Sequence, residues 1–167
     1  MAPQAITIMG GPHVSFDAEN TLLRFPEIDV IVMGESENTL MQWLPALNNR
    51  SAWPDINGLA FFENGQFVST GPGDLIQDLD NLPLPSRHLL PLSKYKALGF
   101  PISIITSRGC PNKCIFCLGR KMVGYKVRYR DPVRVAEIER FWPPDLSAST
   151  SRMTCLRQIK KAGGRGV

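Results

Sequence analysis

Short apolar runs that end in glycine turns mark the first third of the chain. Residues 5–9 form a short apolar run, and residues 28–33 are apolar on both faces apart from Asp29, which is typical of a strand in a parallel sheet covered by helices. The first run continues into Gly10-Gly11-Pro12, and such residues permit the unusual backbone angles of a turn. The second run is followed by Gly34-Glu35. The pattern predicts two strands, each leading into a glycine turn.

One segment between these strands and another after them show the periodicity of amphipathic helices. Residues 17–25 predict a short amphipathic helix. Its buried side would comprise three apolar residues, Leu22, Leu23 and Phe25. Residues 36–47 predict another helix, with Ser36 as N-cap, Trp43 in the core and Pro45 kinking or shortening the end. Alternating strands and helices predict an α/β fold of the doubly wound type.

A hairpin and a linker follow this alternating segment. Residues 58–62 and 66–70 flank a loop that contains Asn64-Gly65, a strong hairpin-turn signal. Residues 82–86, Leu-Pro-Leu-Pro-Ser, predict an extended linker. We therefore divide the chain into three parts, residues 1–50, residues 51–95 with the hairpin and linker, and residues 96–167.

The last part begins with another apolar strand, residues 101–106, and cysteines follow its carboxyl end. Ligands of parallel α/β proteins bind at that end of the strands. Residues 131–141 predict a helix with Asp131 as N-cap and Pro132 in its first turn. Residues 147–167 show no helical or strand periodicity. We expect the chain to be cut at both ends, because it begins directly on a strand and ends without a closing element.

Composition limits the classes of protein to consider. The 167 residues are 43% hydrophobic and 20% charged, as in globular proteins, and the formal net charge of +4 is too small to indicate a nucleic-acid partner. No apolar run approaches the roughly 20 residues needed for a membrane-spanning helix, and no signal peptide is recognisable. We therefore expect a cytoplasmic protein without a transmembrane segment.

Three closely spaced cysteines are the strongest candidates for a functional site in the sequence. Cys110, Cys114 and Cys117 form C-x3-C-x2-C, which supplies three thiolates from one loop, and an iron–sulfur cube held by three thiolates keeps one iron open. A zinc site is an alternative, but it would need a fourth ligand from the rest of the chain, Cys155, His88 or His13. A thiol–disulfide motif is another alternative, and it would use only Cys114 and Cys117.

The run Thr106-Ser107-Arg108-Gly109-Cys110-Pro111-x-x-Cys114-x-Phe116-Cys117 resembles the signature loop of the radical S-adenosylmethionine (SAM) enzymes. The resemblance implies a partial (β/α) barrel in which the three cysteines hold a [4Fe-4S] cluster. The amino and carboxylate groups of SAM would chelate the open iron, and an electron from the reduced cluster would cleave SAM to methionine and a 5′-deoxyadenosyl radical. Phe116 occupies the position of an aromatic side chain that packs near the adenine of SAM.

The upstream sequence is similar to the cobalamin-binding subfamily of these enzymes. The order of the Gly-Gly-Pro-His segment, the Gly-Glu turn, the hairpin and the Leu-Pro-Leu-Pro linker carries this resemblance. It implies the C-terminal part of a Rossmann-like cobalamin-binding domain followed by the start of the barrel. Gly10 and Gly11 would contact cobalamin, and Gly34 and Glu35 lie at the corresponding end of the next strand. The Asp-x-His-x-x-Gly and Ser-x-Leu elements of the subfamily would precede Met1, and no axial-ligand role is carried onto His13.

The resemblance implies radical chemistry on a small organic molecule. Methyl transfer through methylcobalamin is one outcome, and an oxidative cyclisation as in anaerobic tetrapyrrole synthesis is another. An electron donor such as flavodoxin or ferredoxin would be a partner. The alternatives are a non-catalytic iron–sulfur or zinc-binding module and an inactive gene fragment. A basic stretch after the cysteines would be either a solvated loop and edge strand or a positive rim for an anionic ligand; its cations are Arg120, Lys121, Lys126, Arg128 and Arg130.

Overall fold

The computed structural model describes residues 5–99, 102–140 and 148–150. The chain forms two compact units, the first comprising Met1–Ile76 and Asn112–Tyr125 and the second Gln77–Pro111 and Lys126–Val167. No helix within the described ranges is long and apolar enough to cross a bilayer. The strands and α-helices follow in the order β1 (Ile8–Gly10), α1 (Pro12–Phe16), α2 (Ala18–Arg24), β2 (Val30–Val32), α3 (Glu37–Trp43), β3 (Leu59–Glu63), β4 (Gln66–Ser69), α4 (Leu92–Ala97), β5 (Ile102–Ile104), β6 (Ser107–Arg108), α5 (Gly119–Val123), β7 (Arg128–Tyr129), α6 (Pro132–Arg140) and β8 (Ala148–Thr150).

The first unit contains a four-stranded sheet in the order β1-β2-β3-β4. β1 and β2 are parallel, as predicted, whereas β2–β3 and β3–β4 are antiparallel. The predicted hairpin therefore joins the same sheet as the first two strands and does not stand apart from it. Its turn has Asn64 at φ 50° and Gly65 at φ 78°, the left-handed pair that an Asn-Gly hairpin turn requires. The division at residues 50 and 95 stays a prediction.

The strands are shorter than predicted because their first residues make other hydrogen bonds. The Asp29 carboxylate accepts a hydrogen bond from the Thr7 amide at 2.7 Å, and the Asp29 amide donates to the Thr7 carbonyl at 3.0 Å. This polar exchange lies next to the start of the β1–β2 pairing. It explains why an acidic residue interrupts an otherwise apolar run.

The central strand β2 is buried on both faces. Val30 and Val32 pack into a cluster with the aromatic side chains of Trp43, Trp53 and Phe61. Ile31, which points the other way, packs against the helices α1 and α2 through a second cluster of apolar side chains. The prediction of a strand covered on both faces is therefore confirmed, and Trp43 lies in the core as expected, only 2% exposed.

Two helical predictions in this unit need correction. Helix α2 buries Ala18, Thr21 and Leu22, while Leu23 is 62% exposed because it points about 100° away from Leu22. Phe25 is 48% exposed and lies beyond the last helical residue, Arg24, with non-helical backbone angles. Ser36 precedes α3 but makes no side-chain cap hydrogen bond. Pro45 shortens the helix as predicted, and residues Leu44–Ala46 continue as a 3₁₀ turn.

The second unit contains two short strand pairs and the helix α6. β5 pairs with β8 in parallel, and β6 pairs with β7 in antiparallel fashion. The tail strand β8 was not predicted, since three residues carry no recognisable period. Asp131 caps α6 as predicted, with its carboxylate accepting from the Val133 amide at 2.7 Å. The predicted Pro101 and Phe141 ends, and Cys155, lie outside the described residues.

Candidate cofactor site

Two glycine turns lie at the same edge of the first unit's sheet. Gly10, the last residue of β1, is paired with Val32, the last residue of β2, so both parallel strands end side by side. Gly11 comes directly after β1 and has φ 115°, and Gly34 comes two residues after the end of β2 and has φ 77°. L side chains rarely adopt such backbone angles. The structure thus brings together three of the four residues that the sequence predicted for cobalamin.

A serine hydroxyl links these two turns. Ser15 Oγ donates a hydrogen bond to the Gly11 carbonyl at 2.8 Å and accepts one from the Gly34 amide at 3.1 Å. Ser15 lies in α1, one helical turn after Gly11, and is half-buried. Sequence reasoning missed this residue, because a serine at this spacing is an ordinary helix residue until the second turn is placed beside it.

A cavity of about 260 Å³ opens beside Gly34. Its lining is mostly apolar and includes Phe16, Met33 and Met122, together with Ser15 and Lys121. Ligand sites in proteins typically combine an apolar lining with a few polar groups in this way. The cavity is therefore a candidate ligand site next to the end of β2.

Gly73 packs tightly against the segment that follows β2. Gly73 donates its amide to the Met33 carbonyl at 3.1 Å, and a Cβ atom at Gly73 would lie 2.7 Å from the Glu35 carbonyl oxygen and 2.8 Å from Thr39 Oγ1. The Thr39 hydroxyl in turn donates to the Asn57 carbonyl at 2.8 Å. Only a glycine fits at position 73, and sequence analysis did not single it out because the crowding atoms are distant in sequence.

Glu35 has a different environment from the other three predicted cobalamin residues. Its side chain is 4% exposed, and Oε2 accepts a hydrogen bond from the Ile76 amide at 2.9 Å. This carboxylate therefore holds the segment that follows the hairpin inside the fold. A direct contact between Glu35 and cobalamin stays a prediction.

The helix that follows the cysteines reaches the same cavity. Helix α5 begins two residues after Cys117, and its residues Lys121 and Met122 line the cavity beside Gly34. A Cβ atom at Gly34 would lie 3.9 Å from the Met122 carbonyl oxygen. The chain thus connects the last cysteine to the glycine edge through one short helix.

The cysteine loop is irregular and carries free thiols. Cys110 and Cys117 are half-buried and Cys114 is exposed, and the Cys117 amide donates to the Cys114 carbonyl at 3.3 Å. Cys110 falls in the second unit, and the other two fall in the first. Within the described ranges, no group of three His, Cys, Asp or Glu side chains is gathered closely enough to hold a metal ion.

Apolar side chains of the loop point into solvent. Phe116 is 87% exposed and the neighbouring Ile115 is fully exposed. His13 and His88, the described candidates for a fourth zinc ligand, are also exposed. Arg128 of the basic stretch lies in the strand β7, in line with the expected edge strand, but it is only 7% exposed and is therefore not solvated.

The residues present fit the predicted cofactors in chemical type. Thiolates are the ligands of iron–sulfur clusters, and three free cysteines lie within eight residues. Gly11 and Gly34 lack side chains at the ends of β1 and β2, and Gly34 lines the cavity, so a ligand can approach the main chain there.

Sequence comparison finds relatives among methyltransferases and cyclases, although no protein-family model matches the chain. The chain is 43% identical over 131 residues to an uncharacterised methyltransferase of Pyrococcus horikoshii, covering 78% of this chain and 28% of that protein. It is 34% identical over 137 residues to the anaerobic magnesium-protoporphyrin IX monomethyl ester cyclase of Synechocystis sp., covering 81% and 27%. The cobalamin-dependent radical SAM methyltransferase TokK of Streptomyces tokunonensis is 26% identical over 153 residues, covering 86% and 22%. The chain therefore spans about a quarter of the length of these curated relatives.

Structural comparison agrees with these relatives. The cobalamin-dependent SAM radical enzyme OxsB, solved with aqua-cobalamin and SAM bound, superposes with a TM-score of 0.67 at 23% identity, covering 80% of this chain and 18% of that chain. Identity at this level shows a shared fold, and the mixed α/β architecture predicted from the sequence is confirmed to that extent. The homologues of this chain therefore include methyltransferases, among them a cobalamin-dependent radical SAM enzyme, and a magnesium-protoporphyrin cyclase, which confirms the family predicted from its sequence.

Proposed function

We propose that this chain is part of a radical SAM enzyme and carries its cluster-binding loop together with a portion of its cobalamin-binding domain. The observation that carries the proposal is the triplet of free cysteines in one loop, in a chain whose relatives include a cobalamin-dependent radical SAM methyltransferase. Residues 1–50 would be the Rossmann-like portion, and residues 96–167 would begin the partial (β/α) barrel.

Cys110, Cys114 and Cys117 would hold a [4Fe-4S] cluster. When bound, such a cluster supplies the electron that cleaves SAM reductively. Phe116 would pack against the adenine of SAM, and its 87% exposure leaves its ring available for a ligand. Aromatic side chains bury a large area at low entropic cost, so this contact would order the exposed loop around the bound SAM.

Cobalamin would lie against the edge where β1 and β2 end. Gly10, Gly11 and Gly34 are the residues proposed to approach it, and the buried carboxylate of the adjacent Glu35 is held by a hydrogen bond from the Ile76 amide. The supporting observations are the two left-handed glycines and the adjoining cavity of about 260 Å³.

The proposed reaction is methyl transfer to, or oxidative cyclisation of, a small organic substrate. The relatives include enzymes named for each outcome, a methyltransferase and a cyclase. A flavodoxin or ferredoxin would deliver the electron. The residues that select the substrate would lie outside the part of the relatives that this chain spans.

Anaerobic reconstitution with iron and sulfide tests the proposal. We expect a brown protein with about four iron atoms per chain, whose reduced cluster gives an EPR signal that changes when SAM is added. Replacing any one of the three loop cysteines by serine should lower the iron content, because a three-thiolate site has no spare ligand.

The fourth cysteine provides the matched control. Cys155→Ser removes a thiol outside the triplet and should leave iron content and the SAM-dependent EPR change as in the wild-type chain. A colourless protein that binds one zinc ion, and loses it on Cys155→Ser, would instead establish the zinc alternative and refute the proposal.

A further inference from the structure

We propose that Ser15 is a positioning residue that holds the two glycine turns in one arrangement for cobalamin. This role rests on the proposed function, since it presumes that cobalamin binds at this edge. It adds to that function a residue that the sequence did not predict for cobalamin. Ser15 stands between Gly11 and Gly34, and its hydroxyl is the shared hydrogen-bonding group of both turns.

The Ser15 hydroxyl is the donor in one of these hydrogen bonds and the acceptor in the other. As a donor it adds a second hydrogen bond, at 2.8 Å, to the Gly11 carbonyl, which also accepts from the Ser15 amide at 3.1 Å, and as an acceptor it satisfies the Gly34 amide at 3.1 Å. A methyl group in its place would leave the Gly34 amide without this partner in a partly buried setting, which is costly, whereas the Gly11 carbonyl would keep its hydrogen bond from the residue 15 amide. A serine or threonine hydroxyl can serve both groups at once, whereas alanine can serve neither.

The mobility of glycine explains why such a link matters. Gly11 and Gly34 have no side chains to restrict their backbones, so their turns can adopt several conformations. A Cβ atom at Gly11 would meet nothing within 4 Å, so packing does not confine that turn. A ligand that contacts both turns would bind more weakly if each had to be ordered separately, since ordering costs free energy of binding.

Amide hydrogen exchange of the ligand-free chain tests the link directly. Ser15→Ala should accelerate exchange at the Gly34 amide by roughly tenfold, the equivalent of losing one hydrogen bond, while Ser15→Thr should restore the wild-type rate. Ser51→Ala is the matched control, because Ser51 is exposed and its hydroxyl donates to the Asn49 side chain. Equal Gly34 exchange in the wild-type and Ser15→Ala chains would overturn the inference.

Spectrophotometric titration with hydroxocobalamin tests the ligand role. We expect the Kd to rise roughly three- to tenfold in Ser15→Ala and to return towards the wild-type value in Ser15→Thr. If the wild-type and Ser15→Ala chains bind equally tightly, the role of Ser15 is refuted and the proposed function stands. If the wild-type chain binds no cobalamin, the cobalamin part of the proposed function fails, and the ligand role of Ser15 fails with it.

Discussion

Gly109 packs directly against the backbone of Lys126. A Cβ atom at position 109 would overlap the Lys126 carbonyl oxygen, lie 2.8 Å from the carbonyl carbon and lie 3.0 Å from the Val127 Cα atom. Gly109 also has φ 108°, which disfavours any L side chain. The contact lies where β6 and β7 pair, so the residue before the first cysteine must be glycine for reasons of backbone packing alone.

Replacing Gly109 should therefore destabilise the chain before any cofactor is involved. We expect Gly109→Ala to lower the free energy of unfolding by about 3 kcal/mol or more, because it combines an unfavourable φ with a backbone overlap. Urea denaturation followed by circular dichroism measures this loss. Gly65→Ala is the control, since Gly65 has φ 78° with nothing within 4 Å of its Cβ position, and it should cost only about 1–2 kcal/mol. Equal losses would show that the overlap at Lys126 is relieved.

Gly10 should behave in the opposite way, because the fold has room for a methyl group there. Its Cβ position lies 3.5 Å from the Val32 carbonyl oxygen, an ordinary contact. We expect Gly10→Ala to change the free energy of unfolding by less than about 1 kcal/mol but to weaken hydroxocobalamin binding by about tenfold, as the methyl group would keep the ligand from the backbone. Calorimetric titration measures the binding, and Gly65→Ala should bind as the wild type does. Unchanged binding by Gly10→Ala would place cobalamin away from β1.

Replacing Gly73 tests the backbone packing next to Gly34 and Glu35. We expect Gly73→Ala to lower the free energy of unfolding by about 2–3 kcal/mol, because its methyl group would crowd the Glu35 carbonyl and Thr39 Oγ1. Tryptophan fluorescence during urea denaturation measures the change. Gly119→Ala serves as the control, since its Cβ would lie 3.4 Å from Cys117 Sγ and it occupies a helix. That substitution should be neutral or slightly stabilising, and a similar loss in both variants would contradict the packing argument.

Trp53 should dominate the stability of the first unit's core. Its ring packs edge-on to Trp43 at 5.2 Å and to Phe61 at 5.3 Å, and its Nε1 donates to the Ala46 carbonyl at 3.1 Å. We expect Trp53→Ala to cost about 3–5 kcal/mol, seen as a lower midpoint of thermal unfolding by circular dichroism.

An exposed leucine provides the comparison for Trp53. Leu23→Ala removes a side chain that is 62% exposed and should cost less than about 1 kcal/mol. Trp53→Phe, which keeps a ring but loses the hydrogen bond to Ala46, should fall between these two variants. A small effect of Trp53→Ala would show that the aromatic cluster does not organise the core.

Local signals determined much of this protein. The apolar run around Ile31 predicted a strand buried on both faces. The pair Asn64-Gly65 predicted a hairpin, and Asp131 predicted the start of a helix. Each depends on residues that are neighbours in the chain, so backbone preference and side-chain period suffice to predict it. The run from Thr106 to Cys117 likewise carried the resemblance to the family, because all of its residues lie within one short segment.

Only the tertiary structure decided which distant residues meet. It placed the hairpin beside β2, brought the Gly34 amide to the Ser15 hydroxyl and set Gly73 against Glu35 and Thr39. It also buried Leu22 and exposed Leu23, which composition cannot distinguish. Such pairings depend on how strands and helices pack across long stretches of sequence, and no local propensity encodes them. The glycines were therefore visible in the sequence, but the reason that each must be a glycine became visible only in the fold.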